Sequence, residues 1–76
     1  MPKQHAESGV AQRVTTLLND QGLSGRRLAR DLNWSAPYIA RRLSGEVEFS
    51  ESDIRAVAKR LHVSFDYLLG AEDVAA

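Results

Sequence analysis

The chain contains no cysteine. Disulfide staples, thiol catalysis and cysteine–zinc sites are therefore excluded. Histidine is nearly as scarce: His5 and His62 lie far apart and fit no metal-ligand spacing. Paired carboxylates, a nucleophile–base pair and a metal set are all missing, so no enzyme, cofactor, metal or small-molecule ligand is expected. No apolar run approaches the ~20 residues needed to cross a bilayer. The Met1-Pro2-Lys3 start is not followed by an apolar h-region, so the expectation is no signal peptide, no membrane partner and a cytoplasmic location. Repeats, low-complexity stretches and alternating strand patterns are also absent.

What remains is a chain of 76 residues, 43% hydrophobic, which is enough for one domain with one small core. A domain of this size buries only ~60% of the surface its unfolded chain exposes. Net charge is zero, with ten Lys and Arg against ten Asp and Glu. The distribution matters more than the total. Between Leu23 and Arg42 five arginines (Arg26, Arg27, Arg30, Arg41, Arg42) face one acid, Asp31. Between Leu43 and Ile54 there are four acids (Glu46, Glu48, Glu51, Asp53) and no base. The positive segment is a candidate polyanion site. Arginine there suits bidentate contact to phosphate or guanine.

Apolar spacing and serine caps predict five short helices around one core. Residues 1–6 read as a loose arm, 7–70 as the folded domain and 71–76 as a frayed tail. Ser8 is a cap for a first helix with Val10, Val14, Leu17 and Leu18 on one stripe, ended by Gly22. Ser24 caps a second helix carrying Leu28, Ala29 and Leu32. Asn33 tolerates the left-handed conformation that ends it. Ser35 caps a third helix with Pro37 in its first turn, Ile39 and Leu43 facing inward, and Gly45 as its stop. Val47 and Phe49 tuck a loop toward the core. Ser50, with Asp53 three residues on, is a shortened capping box for a fourth helix carrying Ile54, Val57, Ala58 and Leu61. Ser64 caps a fifth with Phe65, Leu68 and Leu69.

Two of these helices are joined only by Asn33-Trp34-Ser35. So short a connection forces a sharp angle between them, which is helix-turn-helix geometry. Ala29 is small where the helices approach, and Ile39 plugs the angle. The opposite side of the third helix, with Ser35, Ala36, Pro37, Ala40, Arg41 and Ser44, is left for an outside partner.

On LSGRRLARDLNWSAPYIARRLSG at 23–45 and FSESDIRAVAKRLHVSFDYLL at 49–69, the chain resembles the lambda-repressor-like helix-turn-helix domains, the Cro and XRE group of phage and bacterial regulators. The resemblance runs from about Val10 to Leu69. It implies an all-α, compact five-helix fold and a sequence-specific double-stranded DNA-binding regulator, a Cro-like or immunity-repressor-like repressor occupying an operator. By position, Ser35, Ala36, Pro37 and Arg41 would face base edges. Arg41 is the one equipped for bidentate readout of guanine. Ser24, Tyr38, Ser44 and the Gly45 backbone would meet phosphates, reinforced by Arg26, Arg27 and Arg42. The family's last helix implies a homodimer through Phe65, Tyr67 and Leu68, with two third helices ~34 Å apart on a palindromic site.

Three positions depart from the family pattern. Gly25 stands where Gln often anchors a phosphate or base, Asn33 replaces a turn Gly, and Trp34 replaces a small aliphatic residue. With Ala36 and Pro37 in the third helix, few groups remain to hydrogen-bond bases, which implies either low specificity or a reliance on DNA shape. Other readings stand beside these. Trp34 reads as core or half-buried at the helix junction ahead of base stacking, and rim packing competes with a phosphate role for Tyr38. Arg30 and Arg55 are read as pairing with acids such as Asp31 or Glu51 and given no DNA role. His62 is read as a cap. The terminal Val-Ala-Ala reads as an ordinary tail ahead of a degradation signal. The rival function is a protein-interaction module, such as an antitoxin or regulatory adaptor.

Overall fold

Four serines open helices in the computed structural model, which describes residues 9–70. The helices are α1 Gly9–Gln21, α2 Gly25–Asp31, α3 Ala36–Ser44, α4 Glu51–Leu61 and α5 Phe65–Leu69. Ser24, Ser35, Ser50 and Ser64 are the caps of α2 to α5. Each hydroxyl oxygen accepts the backbone N–H three residues on, at 2.9 to 3.2 Å. A bond of this kind is worth about 1 kcal/mol because it satisfies a donor the helix cannot pair internally. At α4 the Asp53 carboxylate also accepts the Ser50 N–H at 3.0 Å, completing the capping box. The expected arm at 1–6, the Ser8 cap and the tail at 71–76 lie outside the described residues.

The connections are short because each helix ends in a left-handed residue. Asn33 closes α2 at φ 67°. Its N–H donates to Arg30 and the Trp34 N–H to Ala29, so the chain reverses and caps the helix in the same turn. His62 closes α4 at φ 63° in the same way.

Val14, Leu28, Val57, Leu61 and Leu68 are wholly buried, and Ala29, Ile39, Ile54 and Ala58 complete the centre of one core. Trp34, Leu43 and Phe49 are half-buried against it, as the sequence predicts. Leu68 therefore belongs to the core and offers no surface to a second copy. The apolar side chain that α5 exposes is Leu69. Helix α2 packs on α3, and α1 braces α3, α4 and α5 from behind. Two polar links tie α4 to α1 and α2: Gln21 donates through Nε2 to the Leu61 carbonyl at 2.9 Å, and Arg60 grips Asp31 at 2.7 Å.

Candidate nucleic-acid interface

Helix α3 presents two different faces because its residues alternate between core and solvent at helical spacing. Ile39 is buried and Leu43 half-buried, whereas Ala36, Pro37, Ala40, Arg41 and Ser44 are exposed on one side. Two polar side chains anchor α3 to α4. The Tyr38 hydroxyl donates to Asp53 Oδ1 at 2.6 Å, and Arg42 donates through Nε to Oδ2 at 2.9 Å. Arg42 also donates through Nη1 to the Tyr38 carbonyl, and its guanidinium lies 3.6 Å from the centre of the Tyr38 ring. That ring leans on Trp34 at 4.8 Å. Asp53 is 3% exposed, so a carboxylate is kept charged at the base of the third helix by three donors.

The electrostatics agree with that geometry. Burial alone pushes the Asp53 carboxyl up. The hydrogen bonds from Tyr38, the Ser50 backbone and Arg42 outweigh it and hold the group below the usual carboxylate range. The same bond raises the Tyr38 phenol, because ionisation would remove the donor and set two negative charges side by side. The hydrogen bond from Arg60 likewise lowers Asp31.

These bonds determine which predicted groups remain available. The Tyr38 hydroxyl and the Arg42 Nε and Nη1 donors are committed inside the molecule. Ser44 donates to the Arg41 carbonyl and accepts from the Glu46 N–H, and the Gly45 N–H donates to Arg42, so both have their donors in the turn that ends α3. Ser24 and Ser35 differ. Each oxygen accepts a cap bond, yet the hydroxyl hydrogen is still free to donate outward. Arg41 is exposed and its guanidinium forms no ion pair among the described residues.

Arg30 requires a correction. Asp31 is held by Arg60 at 2.7 Å and by Arg27 at 3.4 Å, and not by Arg30. Arg30 instead lines an open concavity with Ser24, Arg26, Arg27, Trp34 and Ala36. Arg55 pairs with Glu51 at 2.8 Å, as expected. Of the five arginines of the positive segment, Arg26, Arg30 and Arg41 thus carry outward charge with no ion pair among the described residues, Arg27 is 54% exposed in a long ion pair, and Arg42 is internal. Sequence spacing shows Asp53 only as a cap. The second role was signalled by Tyr38 and Arg42 standing one turn apart on α3, with a single acid placed to meet both.

Beyond α3 the surface changes sign, where Glu46 and Glu48 are exposed and unpaired among the described residues. No helix of the described residues is long and apolar enough to cross a membrane. The model of a helix-turn-helix family, of the Cro/C1 type, matches residues 15–68, from the middle of α1 to α5. No curated protein and no solved structure matches the chain significantly.

Proposed function

This chain belongs to the Cro/C1-type helix-turn-helix family, the XRE family of DNA-binding regulators, and from that premise we propose that it is a sequence-specific repressor of phage or bacterial origin that lays α3 in the major groove of duplex DNA. The observation that carries this reading is Arg41, a cation with no ion pair among the described residues, on the exposed face of a helix whose other face is fixed in the core. Arg41 reads a guanine through O6 and N7, the pairing its fork geometry fits best. Ser35 donates to a neighbouring base edge, and Ala36 and Pro37 contribute apolar contact.

Ser24, Arg26, Arg27 and Arg30 meet the phosphates that flank the groove, since their concavity abuts the start of α3. Tyr38 and Arg42 hold the helix from within through Asp53, and Ser44 and Gly45 close its last turn. Repression follows from occupancy: a protein seated on an operator excludes polymerase. A homodimer through Phe65, Tyr67 and the exposed Leu69 sets two α3 helices about one DNA turn, ~34 Å, apart on a palindrome.

The test is selection from a random-sequence duplex pool at near-physiological salt, run with wild type and Arg41→Ala. The expected result is an enriched motif containing a guanine. The variant should lose about 1–3 kcal/mol on that motif and its preference at that position. Binding without enrichment that disappears as salt rises would contradict sequence reading. It would favour the antitoxin or adaptor role, for which the exposed acids at Glu46 and Glu48 offer a second surface.

A further inference from the structure

The arginine face does not hold all of the outward positive charge. Between Arg55 and His62 the chain has three bases and no acid. A cleft of about 390 Å³ opens there, between the end of α2 and the outer side of α4, lined by Leu32, Ala56, Lys59, Arg60 and His62. The hollow exists because Ala56 is small and stands one turn from Lys59 and Arg60 on the same helix face. Leu32, half-buried, supplies the apolar floor. The Arg60 charge is met by Asp31 at 2.7 Å, and that pair pins the end of α2 to α4. Lys59 and His62 are exposed, and Lys59 forms no ion pair among the described residues. The cleft thus joins an apolar floor to an outward cation, and it shares no residue with the proposed DNA face.

A surface of the opposite character lies on the same molecule. Glu46 and Glu48 are exposed without ion pairs among the described residues, and Val47 between them is partly exposed. This segment precedes α4, whereas Lys59 stands in the last turn of that helix and His62 caps it. The 11 residues of α4 hold the two surfaces ~16 Å apart along its axis, so one copy cannot bring them together. Resting on the DNA reading above, we propose that the Glu46–Glu48 segment of one copy docks on the α4 cleft of the next. Glu48 meets Lys59, and Val47 covers Leu32 and Ala56. The contact joins unlike surfaces, so it extends as a row of copies. Arg41 and the outer face of α3 take no part, and every copy in the row keeps its DNA face. An exposed ion pair is weak in free solution. Two copies on neighbouring sites of one duplex meet at a millimolar effective concentration, where a weak contact suffices. The contact therefore acts as cooperativity between adjacent sites, separate from the α5 pairing within a site.

The experiment compares duplexes carrying one enriched motif with duplexes carrying two, spaced by whole helical turns. It uses wild type, Lys59→Glu, Glu48→Lys and the double variant. Wild type should fill the second site about ten-fold more tightly than an isolated one, a common size for coupling between sites. Each single reversal should remove that gain while Lys59→Glu leaves single-site affinity unchanged. The double variant, which restores opposite charges across the contact, should recover the gain. Equal affinity for isolated and paired sites at every spacing would overturn the proposal and leave DNA reading intact. A gain that survives both single reversals would also overturn it and assign the coupling to α5. Sedimentation of the full chain at low salt decides the contact without DNA. Species larger than a dimer, lost in each single reversal and regained in the double variant, would sustain it even if no duplex were enriched. Growth that stops at a dimer, together with no enriched duplex, would overturn both readings.

Discussion

Asp53 is the residue on which the orientation of α3 depends. It accepts from the Tyr38 hydroxyl, from Arg42 and from the backbone at Ser50, and it is nearly inaccessible to water. Removing a buried acceptor leaves its donors unsatisfied, and breaking a partly buried ion pair leaves one charge uncompensated. Asp53→Ala should therefore cost roughly 2–3 kcal/mol in denaturant unfolding. Tyr38→Phe, which deletes one hydroxyl, should cost about 1 kcal/mol. In binding, Asp53→Ala should reduce affinity for the selected duplex even where the fold persists, because Arg42 and Tyr38 no longer fix α3. The sequence shows Asp53 as a cap because its partner Ser50 is three residues away. Its bonds to residues 11 and 15 positions back require knowing how α3 crosses α4. The opposite limit is Arg41, whose exposure follows from helical spacing alone.

At the scale of elements, local chemistry made the helices legible. A serine hydroxyl, a tolerant αL residue and an apolar stripe act within about five residues of each other, so Ser24, Ser35, Ser50 and Ser64 mark helix starts without tertiary information. The turn from Asn33 to Ser35 was legible for the same reason. Pairing between elements was less so. Asp31 chose Arg60, 29 residues away, over its neighbour Arg30, because α4 delivers that guanidinium at 2.7 Å while Arg30 points into the arginine-lined concavity. Leu68 went to the core instead of the dimer surface because the short α5 offers its buried side to α1 and α4. His62 carries a side chain in a conformation that glycine adopts freely. His62→Gly should leave the fold unchanged and raise stability by up to about 1 kcal/mol, read as a higher denaturant midpoint at constant slope.

At the scale of the whole molecule, the same groups set how stability responds to pH. Asp53 and Asp31 have lowered pKa values in the fold, so their contribution is present above the ordinary carboxylate pKa, ~3.9, and disappears as pH falls through their folded values. Tyr38 is raised, so its contribution is present below the ordinary phenol pKa, ~10, and disappears as pH climbs through its folded value. A plateau from about pH 5 to 10 with losses on both sides is expected in thermal melts. Tyr38→Phe should remove Tyr38's share of the alkaline loss and leave the acid side in place. The zero net charge conceals a molecule with an arginine face at α2 and α3 and an acidic shoulder at Glu46 and Glu48. That division was visible in composition by segment. The pockets between α2 and α3 were not, because they depend on the angle at which two short helices meet.

In the function proposed above, duplex DNA seats on the outer face of α3 and the start of α2. The most direct measurement is an amide chemical-shift titration of the full chain with the enriched duplex. The largest shifts should fall at residues 24–30 and 35–41, with the Arg41 guanidinium among the most affected side chains and the centre of α4 nearly unmoved. Shifts concentrated on α4, or on the acidic segment 46–49, with residues 35–41 unperturbed, would contradict it.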